Sequence, residues 1–232
     1  MFLGPLVFSR FGAVHRLSSG RALTQSNLET VGTALRDYER AKGRFPAGTI
    51  AGTGPAGDRA PLHSWTTALL PFLGEEALYR SIDLSHRYDA PQNARAMQQD
   101  VPAFFAGGLS REKTPRGFAV SHFAGVGGGS EAGLFGRTTG ITRAEVADGL
   151  SQTLVAGEIA SAFPAWGEPE NVRAIGRGLN REYAGFGNAD GSGAMFLRAD
   201  GSVRFYASGT DPDILRRLST RDAGDVVPES YR

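Results

Sequence analysis

The chain has no cysteine in its 232 residues. Disulfide frameworks, thiolate metal sites and cysteine nucleophiles are excluded with it. An excess of charge of one sign is lacking too, since 25 basic residues face 24 acidic ones. That balance supplies no basic field for nucleic acid and no acidic solvating tail. Long apolar runs are also missing. The leading run, "MFLGPLVF" at residues 1–8, falls well short of the ~20 residues that cross a bilayer. No basic segment precedes it and Arg10, His15, Arg16 and Arg21 come after it, which does not fit a secretory signal. It reads as a strand or arm packed on the protein's own body, with a membrane or partner anchor as the competing reading. Glycine, by contrast, is plentiful at 32 residues, roughly twice its usual share. This favours a loop-rich fold with many tight turns, around a core for which 41% hydrophobic residues suffice.

The clearest element is "SNLETVGTALRDYERAKGRFP". Leu28, Val31, Leu35 and Tyr38 fall on one face of a helix. Ser26 with Glu29 fits a capping box at its start. Gly43 and Pro46 mark its end. Residues 47–61, small and rich in Gly and Pro, show no periodic pattern. Short helical turns are expected in "LHSWTTALLPFL", "EEALYRSI" and "PQNARAMQQD". Strands are expected in "GFAVSHFAGV" and in "QTLVAGEIA", the latter entered through Asp148-Gly149. A last helix begins at Asp211-Pro212, with Asp211 as cap and Pro212 at the first helical position. One helix first, short helices in the middle and antiparallel strands late make an α+β fold. The expected organisation is an N-terminal arm over 1–21 and a single domain over 22–232.

Few residues offer chemistry. None of the four histidines, His15, His63, His86 and His122, forms an H-E-x-x-H or H-x-H pair. Ser130 and Ser192 lie near glycines without the flanks of a nucleophile elbow. "GVGGGSEAG" at 125–133 has glycines after a strand but no G-K-[ST] after them, so it reads as an open turn. No catalytic residue and no bound cofactor is expected. "NADGSG" at 188–193 places the oxygen donors Asn188, Asp190 and Ser192 at alternate positions, like the first half of a calcium loop. The acid that would complete such a loop is missing, since Ala199 stands there. A Gly/Asn turn explains the same letters, and calcium remains the one metal worth testing.

The sharpest local signal is "FLRADGSVRFY" at 196–206. Asp-Gly between alternating runs predicts a two-residue hairpin turn. In that register Phe196 faces Phe205 and Arg198 faces Val203, with Met195, Leu197, Arg204 and Tyr206 on the other face. Asp200 and Gly201 are then turn residues, because no second acid or histidine is in view to give Asp200 a catalytic role.

Several blocks together resemble a bacterial family of type IV pilin-like (pseudopilin-like) proteins of unknown function. Asn27, Leu28, Gly32, Leu35, Tyr38, Gly43, Phe45 and Pro46 match its N-L-K-Q-I-G-L-A-L-H-N-Y…G-x-F-P segment. "HSWTTALLPFLGEEALYRSIDLSHRYDAPQN" is similar to its S-W-x-x-x-L-L-P-Y-L-E-Q-x-x-L-Y…D…W-D-x-P-x-N segment. "ADGLSQTLVAGE" and "RADGSVRFYA" are similar to T-D-G-T-S-N-T-I-x-V-x-E and F-A-D-G-S-V-R-F. The resemblance runs from about residue 22 to 228. Three places depart from it. No prepilin-type apolar helix stands upstream, "FFAGG" at 104–108 replaces a Cys-Pro-Ser region, and Asp190 replaces the His of an H-x(9)-D-G motif.

The resemblance implies a pilin-like domain: an amphipathic helix laid on an antiparallel sheet, with short helices between and a C-terminal hairpin plus helix. It implies a non-catalytic structural or interaction protein of the cell envelope or extracellular space. Such a protein acts as a homo-oligomer or with other pilin-like subunits; the charge balance and the short apolar run, not the resemblance, are the reasons to expect no nucleic acid and no transmembrane span in this chain. Two other readings are open. An envelope glycan-binding module would stack sugars on Trp65, Trp166, Tyr183 or Tyr206. A hydrolase would need His63 or His122 beside a nucleophile and an acid.

Overall fold

A computed structural model describes residues 6–52, 60–127, 133–135, 139–169 and 171–231, with side chains from residue 20 onward. Its first element is a long helix, α1 (Leu6–Lys42). Ser26 does not start it. Its carbonyl accepts from the Thr30 hydroxyl (2.9 Å), as a helix interior does, and Glu29 pairs with Gln25 instead. Arg21, Ala22, Leu23 and Gln25 are all good helix formers, and a serine caps only where the chain before it cannot continue the helix. The helix therefore runs unbroken through the expected boundary between arm and domain, and residues 6–8 are helix rather than strand. Residues 1–5 and the side chain of His15 lie outside the described part. Among the described residues no helix is long and apolar enough to cross a membrane.

Leu28, Val31 and Leu35 are fully buried, as their spacing predicts, and Tyr38 is half-buried against Phe72. The helix ends where the Gly43 N–H closes onto the Glu39 carbonyl (2.8 Å). The stretch read as patternless carries a short strand, β1 (Thr49–Ala51), paired with β2 (Pro61–Ser64), whose residues 62–64 come from the segment expected to be a helical turn; that helix starts only at Trp65. Three-residue pairing is too short to leave a period in sequence, and residues 53–59 between them lie outside the described part. Short helices come next: α2 (Trp65–Leu69), α3 (Glu76–Arg80) and α4 (Ala94–Met97).

The main sheet has five strands: β3 (Phe123–Val126), β4 (Leu154–Glu158), β5 (Val172–Arg173), β6 (Gly193–Arg198) and β7 (Val203–Ala207). Their order is β5-β3-β4-β6-β7, antiparallel except for the β3–β5 pair. Every residue of β6 is buried. Met195 and Leu197 face a core shared with α1, while Ala194 and Phe196 face a second core shared with α5 (Pro212–Leu218). Asp211 caps α5 through the Asp213 N–H (2.9 Å), with Pro212 first in the helix as expected. The fold is α+β.

The hairpin at 196–206 differs from its expected register. Phe196 pairs with Arg204, and Met195 with Phe205. Arg198 N–H donates to Ser202 O (2.8 Å) and Gly201 N–H to Arg198 O (2.9 Å), so Ala199, Asp200 and Gly201 form a three-residue loop. Only Gly201 has positive φ, +88°. A turn closed by one left-handed glycine is the next commonest hairpin after the two-residue kind. Two contacts explain the choice. The Ala199 and Asp200 N–H groups donate to the carbonyls of Thr153 and Leu150, which pins the loop to the entrance of β4. Asp200 keeps negative φ and accepts from the Ser202 N–H (2.8 Å) and hydroxyl (2.6 Å). Phe196 consequently packs on Phe186 and Tyr206 rather than Phe205.

Candidate functional site

Among the described residues, a cavity brings a buried carboxylate together with an ion pair. It lies where α1 crosses the 105–108 segment and the 188–192 turn, at the end of β4. The cavity holds about 130 Å³ and is lined by Gly20, Arg21, Thr24, Gly107, Glu158 and Asp190, among others. The Thr24 hydroxyl ties the crossing together, donating to the Gly20 carbonyl (3.1 Å) and accepting from the Gly107 N–H (2.9 Å). Two of the departures from the pilin-like pattern, Gly107 within "FFAGG" and Asp190, meet here.

Glu158 is the last residue of β4, a central strand, and only 5% exposed. Its Oε2 accepts from the Met195 N–H (3.2 Å). Its other oxygen has no hydrogen-bond partner among the described residues. Burial drives its carboxyl up to about 7; the Met195 N–H and Arg21 pull it down, and Asp190 adds to the rise. Asp190 has the opposite fate. Burial raises it, but the Ser192 hydroxyl and N–H and the Arg21 guanidinium outweigh burial and hold it below its ordinary value. Arg21 reaches Asp190 Oδ2 at 3.0 Å and Ser192 Oγ at 2.6 Å, and lies over the Phe205 ring. Arg21 thus neutralises Asp190 and leaves Glu158 without a counter-ion in contact.

The calcium candidates Asn188, Asp190 and Ser192 do come together. Their donors are turned on each other: Asn188 Oδ1 accepts from the Gly193 N–H (3.2 Å), and Asn188 Nδ2 donates to Ser192 Oγ (3.0 Å). Asp190 Oδ1 accepts from the Ser192 N–H (2.9 Å) and hydroxyl. No group of three or more His, Asp or Glu with metal-binding geometry occurs among the described residues. Seven or so oxygen ligands of an ordinary calcium site would have to be recruited past Arg21.

The histidines are dispersed. His63 is buried, its Nε2 on the His86 carbonyl (2.8 Å), and burial lowers its pKa. His122 is buried between Phe105 and Phe163, with Nδ1 accepting from the Ala106 N–H (3.1 Å). Burial likewise lowers its pKa. Neither ring is hydrogen-bonded to a Ser or an acid among the described residues. His86 does touch Ser85 and Asp83, but through the single atom Nδ1 (3.1 and 2.9 Å). A triad uses the two ring nitrogens separately, so this is a surface turn. Ser130 and residues 128–132 of "GVGGGSEAG" lie outside the described part.

Of the four aromatics considered for sugar stacking, Trp65, Trp166 and Tyr206 are buried and Tyr183 is 78% exposed. The two indoles donate to the carbonyls of Asn171 and Gln99, each at 3.0 Å. Glu158 and Arg21 are the residues that sequence reasoning passed over as a site. A charged residue closing the apolar run "LVAG" was the available signal.

Residues 20–181 match the family described as protein of unknown function (DUF1559). No curated protein and no solved structure matches the chain. The match takes in the packed part of α1, strands β1 to β5 and Glu158, and ends before the 188–192 turn and the C-terminal hairpin. Covering well over half of the 232 residues, it places this chain in the DUF1559 family.

Proposed function

We propose that the protein is a non-catalytic structural or interaction protein, a pilin-like subunit or a soluble relative of one, that works by self-assembly or by binding a partner at the cell envelope. The observation that carries this reading is the docking of one face of the long leading helix α1 on a mainly antiparallel sheet closed by a C-terminal hairpin. The blocks of sequence resembling pilin-like proteins support it. Light scattering after size exclusion, with negatively stained grids, tests it. Concentration-dependent oligomers, fibres or rings are the expected result. A strict monomer that crosslinks to nothing in an envelope extract would count against it.

A second reading is an envelope glycan-binding module, and it draws on one residue. Tyr183 stands exposed at a groove of about 450 Å³ that also contains Lys113 and Phe163. Quenching of tyrosine fluorescence by oligosaccharides, lost in Tyr183→Ala, would favour it; flat titrations would remove it.

A further inference from the structure

We propose that the cavity at the helix crossing binds a small alkylammonium group, with the free oxygen of Glu158 as its anchor. This goes beyond the pilin-like reading and does not rest on it. Three observations carry it. Glu158 is 5% exposed, lines the cavity and keeps one carboxylate oxygen unpartnered among the described residues. That oxygen opens onto the cavity and is used by no hydrogen-bond donor among the described residues, so a donor entering the cavity meets it directly. Next, the charges do not balance. Arg21 from α1 is already spent on Asp190 of the 188–192 turn, so an ionised Glu158 leaves one net negative charge facing the space. The ligand is therefore a monovalent cation that donates hydrogen bonds. Finally, the walls suit an organic cation over a metal ion. Gly20, Gly107, Gly108 and Ala189 offer backbone and carbon, the oxygens of Thr24, Asn188 and Asp190 already accept hydrogen bonds, and hard metal ions ask for six or more oxygen ligands. A space of about 130 Å³ admits the tip of a primary amine.

Binding requires the ionised carboxylate. Glu158 titrates at about 7, so the fraction ionised, and with it the affinity, rises roughly tenfold from pH 6 to pH 8.

The test is isothermal titration of the full chain with methylammonium chloride. The expected result is one saturable site, about tenfold tighter at pH 8 than at pH 6, and absent in Glu158→Gln. Glutamine keeps an acceptor for the Met195 N–H, so the variant retains that contact. Asp190→Asn should weaken binding several-fold, because Arg21 loses its partner and turns to Glu158. Tetramethylammonium, which has no N–H, should not bind. Absence of saturable binding, equal affinity in Glu158→Gln, no change with pH, or equal binding of tetramethylammonium or calcium would each overturn the proposal. If Glu158→Gln does not fold, the carbon-13 shift of the Glu158 carboxyl in the unaltered chain decides. Its titration midpoint must fall when methylammonium saturates; an unmoved midpoint overturns the site. A free amine and a lysine tip from a second copy share this chemistry. Methylammonium dissolves oligomers seen by light scattering only if lysine is the source.

Discussion

The two faces of the main sheet are covered by opposite means. On one, α1 lays a single regular stripe, Leu28, Val31 and Leu35, over Met195 and Leu197. On the other, α5, the segments around Ile175, Leu179 and Phe186, and the tail at Val227 close over Ala194 and Phe196. Both leave β6 fully buried. The difference lies in how backbone polar groups are satisfied. A helix satisfies its own; irregular chain cannot, and each buried group must find a partner. Side chains supply them on the second face. Arg173 donates to the carbonyls of Ser161 and Gly185 (3.3 and 3.2 Å). Asn180 donates to the carbonyl of the buried Gly193 (3.0 Å). The buried Arg198 donates to the Tyr206 hydroxyl and the Tyr231 carbonyl (2.8 and 2.7 Å).

If the irregular face is as well packed as the regular one, neighbouring residues on β6 should be equally sensitive. Phe196→Ala should cost about 3–5 kcal/mol and Leu197→Ala about 2–5 kcal/mol, read by urea unfolding. A cost below about 1 kcal/mol for Phe196→Ala would mean that the loop layer yields and is no core.

Glu158, at the seam between α1 and that layer, gives the next largest effect. Its folded value of about 7 exceeds its ordinary 4.5, so the folded chain holds the proton more tightly. That stability is complete below pH 4.5 and is lost as pH rises through 7, on the order of 3 kcal/mol. His63 and His122 act with the opposite sign. Their lowered values favour folding above about 6.5 and are lost on acidification. Glu158→Gln should therefore gain in melting temperature over the unaltered chain between pH 5 and pH 8. Parallel curves would show that Glu158 is not desolvated.

Gly201→Val comes third. A β-branched residue resists a φ of +88°, and a Cβ there would stand 2.6 Å from the Arg36 guanidinium. The expected loss is about 1–3 kcal/mol, and an unchanged melting curve would refute the three-residue loop. Smallest is Arg21→Ala. The Arg21–Asp190 pair is partly exposed, with 45% of the arginine side chain open, and such pairs contribute about 0–1 kcal/mol. A larger loss would show that Arg21 holds α1 to the turn by more than charge.

The regular face was legible in sequence and the irregular one was not. Leu28, Val31 and Leu35 announced themselves by spacing, and Asp211-Pro212 by capping chemistry. The hairpin was legible as a hairpin, yet its register was set by the carbonyls of Thr153 and Leu150, some 50 residues upstream. No local rule encodes such a contact. Ser26 misled because cap residues are common inside helices whose upstream chain is helix-forming. The cavity escaped for a similar reason: Arg21, Glu158 and Asp190 stand on three separated segments, and only the fold makes them neighbours.

The crossing at Gly20 and Gly107 carries one more consequence. A Cβ on Gly107 would lie 2.2 Å from the Gly20 carbonyl oxygen, so the two backbones touch with nothing between them. A one-residue slide of α1 turns the helix by about 100° and brings a side chain into that notch. The contact is a detent: it clicks the helix into a single register against the body. The fourteen residues of α1 before Gly20 then begin from a fixed origin, at about 1.5 Å per residue, so whatever they meet is met at a set distance from Glu158.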